Sequence, residues 1–186
     1  SPYRISKQEE LKWVRDTENG GETGICAKLT AKIKFDEKWE PIGTETNPYT
    51  GTFDGNGCEI SIDYAAAPDG MTKGWGLFGY IGSAGKVQDL SVYVNYFGRN
   101  WKTLTVSESG MLAAYNAGII ERCTATNGRQ FYVNGTVGLL VYQNGGTIQD
   151  CLAELGKNYE SLGNIGGVAY QNNGSIRNCF FYCATY

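Results

Sequence analysis

A repeat of 28 residues limits how this chain can fold more than any other feature. Residues 137–151, VGLLVYQNGGTIQDC, recur as IGGVAYQNNGSIRNC 28 positions later and as SGMLAAYNAGIIERC 28 positions earlier. In register, the copies align Gly110, Gly138 and Gly166; Asn116, Asn144 and Asn172; Gly118, Gly146 and Gly174; Ile120, Ile148 and Ile176; and Cys123, Cys151 and Cys179. The stretch GLFGYIGSAGKVQDL at 76–90 joins the series at a spacing of 33, which sets Gly85, Val87 and Leu90 over Gly118, Ile120 and Cys123. A period of this size marks stacked units, none of which buries its apolar face alone.

The kind of unit follows from what each copy contains. The frame of a leucine-rich repeat, the three-and-four spacing of helical repeats and the G-G-x-G-x-D of calcium-binding β-rolls are all missing. Short apolar runs with period-two stretches, broken by Asn-Gly and Gly-Gly turns, remain. They predict an all-β fold, a short right-handed parallel β-helix of four to five coils, with equivalent residues about 4.8 Å apart along the axis. At each corner the asparagines would form an amide column, and the glycines would supply positive φ where the chain bends. Open ends of such a stack invite neighbours. In the segment SKQEELKWVRD at 6–16, Ser6 and Glu9 fit a capping box, and Leu11 and Val14 share a face that would plug the first coil beside Trp13. No comparable cap is visible toward Tyr186.

Composition supports this reading and narrows the chemistry. The 186 residues fit one domain, and 26 glycines against 4 prolines suit many tight turns. Net charge is −3 with the basic residues scattered, so no nucleic-acid partner is expected. No apolar run is long enough to span a bilayer, and the first residues lack the layout of a signal peptide; a soluble chain with no membrane insertion is expected. Histidine is absent, which excludes Ser-His-Asp, Cys-His and histidine-metal sites.

The sequence resembles secreted bacterial proteins that carry the GLUG motif. Gly76-Leu77-Phe78-Gly79 fits that signature in full, and WEPIG at 39–43, GTFDGNG at 51–57 and the entry segment YRISKQEELKWV are similar to the same modules. The later copies depart from it, with Ala113, Val141 and Ala169 replacing the closing glycine. The resemblance implies surface-exposed β-helical modules of adhesins and peptidase accessory regions, and it brings no common catalytic residues. One β-helical domain over 1–186 is expected, with an N-terminal cap region at 1–35, a lead-in coil at 36–75 and GLUG-type coils at 76–186.

Four constellations bear on function. Cys123, Cys151 and Cys179 hold equivalent positions and are expected to form a buried thiol column, since a straight column cannot surround a metal tetrahedrally; a bridge among Cys26, Cys58 and Cys183, or between Cys179 and Cys183, stays open. Asp89, Arg122, Asp150 and Asn178 fall at one corner. Asp89 and Asp150 would stand about 9–10 Å apart, near the spacing of inverting glycosidases, but Arg122 between them would pair with both and leave an ion ladder. FDGNG, with Asp54 and Asn56, reads as a tight turn rather than a calcium loop. The glycosylation patterns at Asn134 and Asn173 carry no weight in a bacterial protein. Tyr80, Tyr142 and Tyr170 form a column interrupted by Ala114, beside Phe78, Leu112, Leu140 and Val168; it is either covered or presented to solvent as a binding stripe.

No metal or cofactor is called for. The function expected is a non-catalytic extracellular or cell-surface binding and adhesion module, flanked by other modules, whose partner is a glycan or a host or extracellular protein. A polysaccharide-active enzyme and a purely structural spacer are the alternatives.

Overall fold

A computed structural model describes residues 1–35, 37–65, 68, 70–97, 107–133, 135–156, 158–161 and 163–184; Asn134 and Tyr186 lie outside them. The chain winds as a parallel β-solenoid of about six turns. One wall stacks seven strands in the order Tyr3–Ile5, Ala27–Leu29, Thr52–Asp54, Lys86–Gln88, Ile119–Glu121, Thr147–Gln149 and Ser175–Arg177. A second runs from Ile33–Phe35 through Glu59–Ala65, Ser91–Phe97, Thr124–Val133 and Leu152–Leu155 to Phe180–Cys183. A third holds Phe78–Ile81, Ala113–Asn116, Val141–Asn144 and Ala169–Asn172, and a short fourth holds Ser109–Gly110, Val137–Gly138 and Ile165–Gly166. The strand pairs in all four walls are parallel.

Alternation along each strand sends every second side chain inward, and in-register stacking lines these up. Ala27, Phe53, Val87, Ile120 and Ile148 make one buried column, and Ile33, Ile60, Val92, Ala125 and Ala153 make another. The repeat alone predicts four to five coils because the early turns differ in length: Phe53 pairs with Val87, 34 positions on, and Ala27 with Phe53, 26 positions on. Self-similarity at a fixed period does not register such coils.

The repeat glycines have a different role from the one expected. None of them has positive φ. Gly118, Gly146 and Gly174 are instead required by close approach, since a Cβ on any of them would lie 2.1–2.2 Å from the carbonyl oxygen of the glycine one coil earlier. The left-handed corner is taken by Asp89, Arg122, Asp150 and Asn178, with φ between 50° and 55°. Asp and Asn are among the few residues that accept this conformation at modest cost; Arg122 is the strained member.

The single helix among the described residues, α1 (Gln8–Asn19), packs against Tyr3–Ile5 and Ile33–Phe35. Leu11 and Val14 are fully buried on that face. Glu10, rather than Glu9, reaches back to the N-terminus, where its carboxylate accepts from the Ser6 backbone N–H (2.7 Å) and hydroxyl (3.0 Å). The N-cap position falls on Lys7, which moves the reciprocal bond one residue along.

Candidate functional site

The third wall carries the aromatic site. Tyr80 pairs directly with Tyr115, not with Ala114, because the turn Gly82-Ser83-Ala84-Gly85 is two residues longer than its counterparts and shifts the register. Ala114 still lies opposite Tyr142; the ring that meets that of Tyr142 belongs to the next residue, Tyr115, which is in register with Gln143. Tyr80 and Tyr115 stack with ring centroids 4.4 Å apart, Tyr115 meets Tyr142 edge-on at 5.8 Å, and Tyr142 stacks on Tyr170 at 5.5 Å. Four rings thus run continuously along the axis. Tyr142 is only 7% exposed, while Tyr80, Tyr115 and Tyr170 are half-buried.

Tyr115 donates its hydroxyl to the Glu108 carboxylate, and burial together with this bond pushes its phenol well above the ordinary range. Burial also raises the Tyr80 phenol. Tyr80 and Tyr115 therefore offer apolar faces and hydroxyls rather than charge. At the Tyr80 end the ladder opens into a cleft of about 190 Å³ lined by Tyr80, Pro41, Met71, Glu40, Glu45 and Lys73 among others. Drug-sized pockets run to about 300–1,000 Å³, so this one suits a single ring or side chain. Sequence reasoning missed Tyr115 and the cleft. Matching AYN at 114–116 to GYI at 79–81, with the two-residue insertion placed in the following turn, would have found the first of these.

Beside this site the asparagines make a corner ladder. Asn116 donates from Nδ2 to Asn144 Oδ1 (2.8 Å), and Asn144 to Asn172 Oδ1 (2.7 Å). Asn144 is fully buried and Asn116 nearly so. The Asn116 Oδ1 also accepts from the Gly118 N–H (3.1 Å), closing the turn.

The cysteines are all free. The thiols of Cys123, Cys151 and Cys179 each donate to the carbonyl two residues earlier, at 3.3, 3.1 and 3.1 Å. Burial pushes the Cys123 thiol above its usual range, so it is a poor nucleophile.

At the αL corner Arg122 does not bridge Asp89 and Asp150. Its guanidinium grips Asp89 with two bonds (2.7 and 2.9 Å) and turns its remaining nitrogen to Glu121 (2.7 Å). Asp150 instead accepts from Asn178 Nδ2 (3.2 Å). The bond from Arg122 lowers the Asp89 carboxyl, and Lys86, then Arg122, lower that of Glu121. Lys28 pairs with Asp54 (2.8 Å) in the same groove, of about 420 Å³, which also takes in Asn56 and Ser91. Its charges are matched in pairs, and the Asp89 carboxyl is moved away from the range of a general acid.

No family model and no solved structure matches the chain. Over 90 residues it is 34% identical to a protein of Evansella cellulosilytica provisionally named a Gly-rich membrane protein. That match covers 48% of this chain and 10% of the other protein's length. No helix among the described residues is long and apolar enough to cross a membrane.

Proposed function

We propose that this chain is a non-catalytic binding or adhesion module of a bacterial surface or secreted protein, related to the GLUG-motif modules it resembles. The observation that carries the reading is the rigid tyrosine ladder that ends in the Tyr80 cleft. Stacked aromatic rings on a stiff scaffold lose little entropy when they dock a sugar ring or a partner's side chain. The carboxylates Glu40 and Glu45 beside Lys73 add polar contacts at its rim. The partner is a glycan or an extracellular protein, the solenoid winds right-handed, and α1 closes its first coil. A likeness to part of a protein named for the membrane agrees with a location at the cell surface.

Against the enzyme alternative, the Asp89 and Glu121 carboxyls at the left-handed corner are both held ionised by cations. The spacer alternative draws on the depth of Tyr142, which makes part of the ladder core.

A glycan array and a panel of host extracellular proteins, probed with the wild-type chain and with Tyr80→Ala and Tyr80→Phe, test the reading. Expected is a ligand whose binding falls about tenfold or more in Tyr80→Ala and is largely kept in Tyr80→Phe, with both variants folded and Tyr80→Ala less stable by only about 1–2 kcal/mol. Silence on both surfaces favours the spacer, and release of a product from any glycan restores the enzyme.

A further inference from the structure

Resting on the reading of the Tyr80 cleft as the binding site, we propose that its ligand is an arginine side chain of a protein partner, with the guanidinium stacked on Tyr80 and its N–H groups turned to the carboxylates at the rim. The ladder lacks a rung where the cleft lies. One face of Tyr80 stacks on Tyr115 with centroids 4.4 Å apart, and the preceding coil brings no ring to the other among the described residues. That coil offers the Gly43 carbonyl to the Tyr80 N–H (3.3 Å), leaves the wall over residues 44–48, and returns where the Tyr49 N–H donates to the Tyr80 carbonyl (2.8 Å). Glycine keeps the space bare. A Cβ on Gly43 would stand 2.4 Å from the Tyr80 carbonyl oxygen, and one on Gly79 would stand 2.5 Å from that of Gly43. Pro41 and Met71 supply apolar sides.

Charge selects the occupant. Lys73 stands 3.8 Å from Glu108, whose carboxylate also accepts from the Tyr115 hydroxyl. Glu40 and Glu45 are exposed on the rim, and neither pairs with a cation among the described residues. Three carboxylates thus surround one ammonium. Burial first, and then Glu45, raise the Tyr80 phenol, and Lys73 offsets less than Glu45 adds, so the carboxylate field reaches the ring. Such a field repels an acidic glycan and draws in a cation, as does the face of the ring itself. At about 190 Å³ the cleft is too small for an oligosaccharide and holds one side chain. Between the two cationic side chains arginine fits better, because its planar head stacks on an aromatic face and its fork matches a carboxylate, whereas an ammonium holds its water more tightly.

Nuclear magnetic resonance titration of the whole chain tests this, with a glycine-flanked arginine peptide and with the same peptide carrying neutral citrulline in place of arginine. The arginine peptide should shift the Met71 methyl and the Gly79 and Tyr80 amides, and should bind about tenfold or more tighter than the citrulline peptide. Glu45→Gln should weaken it about threefold and Lys73→Gln should tighten it by about as much, with both differences shrinking at high salt. Both side chains are exposed, so the variants keep the fold. Silence of the arginine peptide, equal binding of the two peptides, or indifference to both charge variants would overturn the proposal. A neutral glycan bound through Tyr80 while the arginine peptide is silent would overturn this inference alone, and silence in the array, the protein panel and the titration would remove the binding reading with it.

Discussion

An alanine at Gly146 is expected to unfold the C-terminal half of the solenoid under conditions where an alanine at Gly145, its immediate neighbour, leaves it intact. A Cβ on Gly146 would stand 2.1 Å from the Gly118 carbonyl oxygen and 2.6 Å from the Ala117 carbonyl carbon. Both are backbone atoms in the coil below, and backbone cannot swing aside as a lysine tip does. Relief requires the two coils to separate at this corner, which breaks the bonds from Gly145 N–H to Asn116 O (2.7 Å) and from Thr147 N–H to Gly118 O (2.9 Å), along with the amide ladder. The cost is at least about 3 kcal/mol, the upper end for forced overpacking. At Gly145 the nearest atom to an added Cβ is 3.7 Å away and φ is not positive, so alanine there is neutral or slightly stabilising. Chemical denaturation of the two variants checks the contrast. Equal stabilities would show that the coils do not approach as closely as described.

The second large effect is expected at Tyr142. Its ring is 7% exposed and is held between the edge of Tyr115 and the face of Tyr170. Tyr142→Ala removes most of a buried aromatic side chain, for a loss of about 3–5 kcal/mol. Tyr80→Ala, at the open end of the ladder, should cost about 1–2 kcal/mol, since that ring is half-buried and gives up less area. The ladder then divides into a buried middle and an open end, which thermal melts of the two variants would separate. A loss under about 1 kcal/mol at Tyr142 would place that ring outside the core.

The parallel solenoid was legible in the sequence because in-register stacking demands the same residue type at the same corner. Asn116, Asn144 and Asn172 recur for that reason, as do Ile120, Ile148 and Ile176. The lead-in coil at 36–75 matched the repeat only loosely and the coil before it escaped, because turns there vary in length, although Phe53 and Ala27 extend the same inward column. The glycines were visible but their purpose was not. Close approach of two backbones and positive φ both select glycine, and only the coordinates tell them apart. Positive φ went to Asp89, Arg122, Asp150 and Asn178, residues that suggested an ion ladder when seen as charges alone. Tyr115 was lost for a related reason: two extra residues in the turn after Tyr80 shift the register by more than a fixed spacing can follow. The Tyr80 cleft draws on residues 40–45 and 71–74, outside the repeat, and nothing in the periodicity points to it.

Parallel stacking at one coil per 28 residues is tested most directly by the distance between nitroxide labels at Ala117 and Asn173. These exposed turn positions are 56 residues apart in the chain and two coils apart in the solenoid. Two coils rise about 10 Å, so label separations of about 10–15 Å and strong dipolar broadening are predicted. A separation beyond about 25 Å, with no broadening, would contradict the stacked register on which the ladders and the thiol column depend.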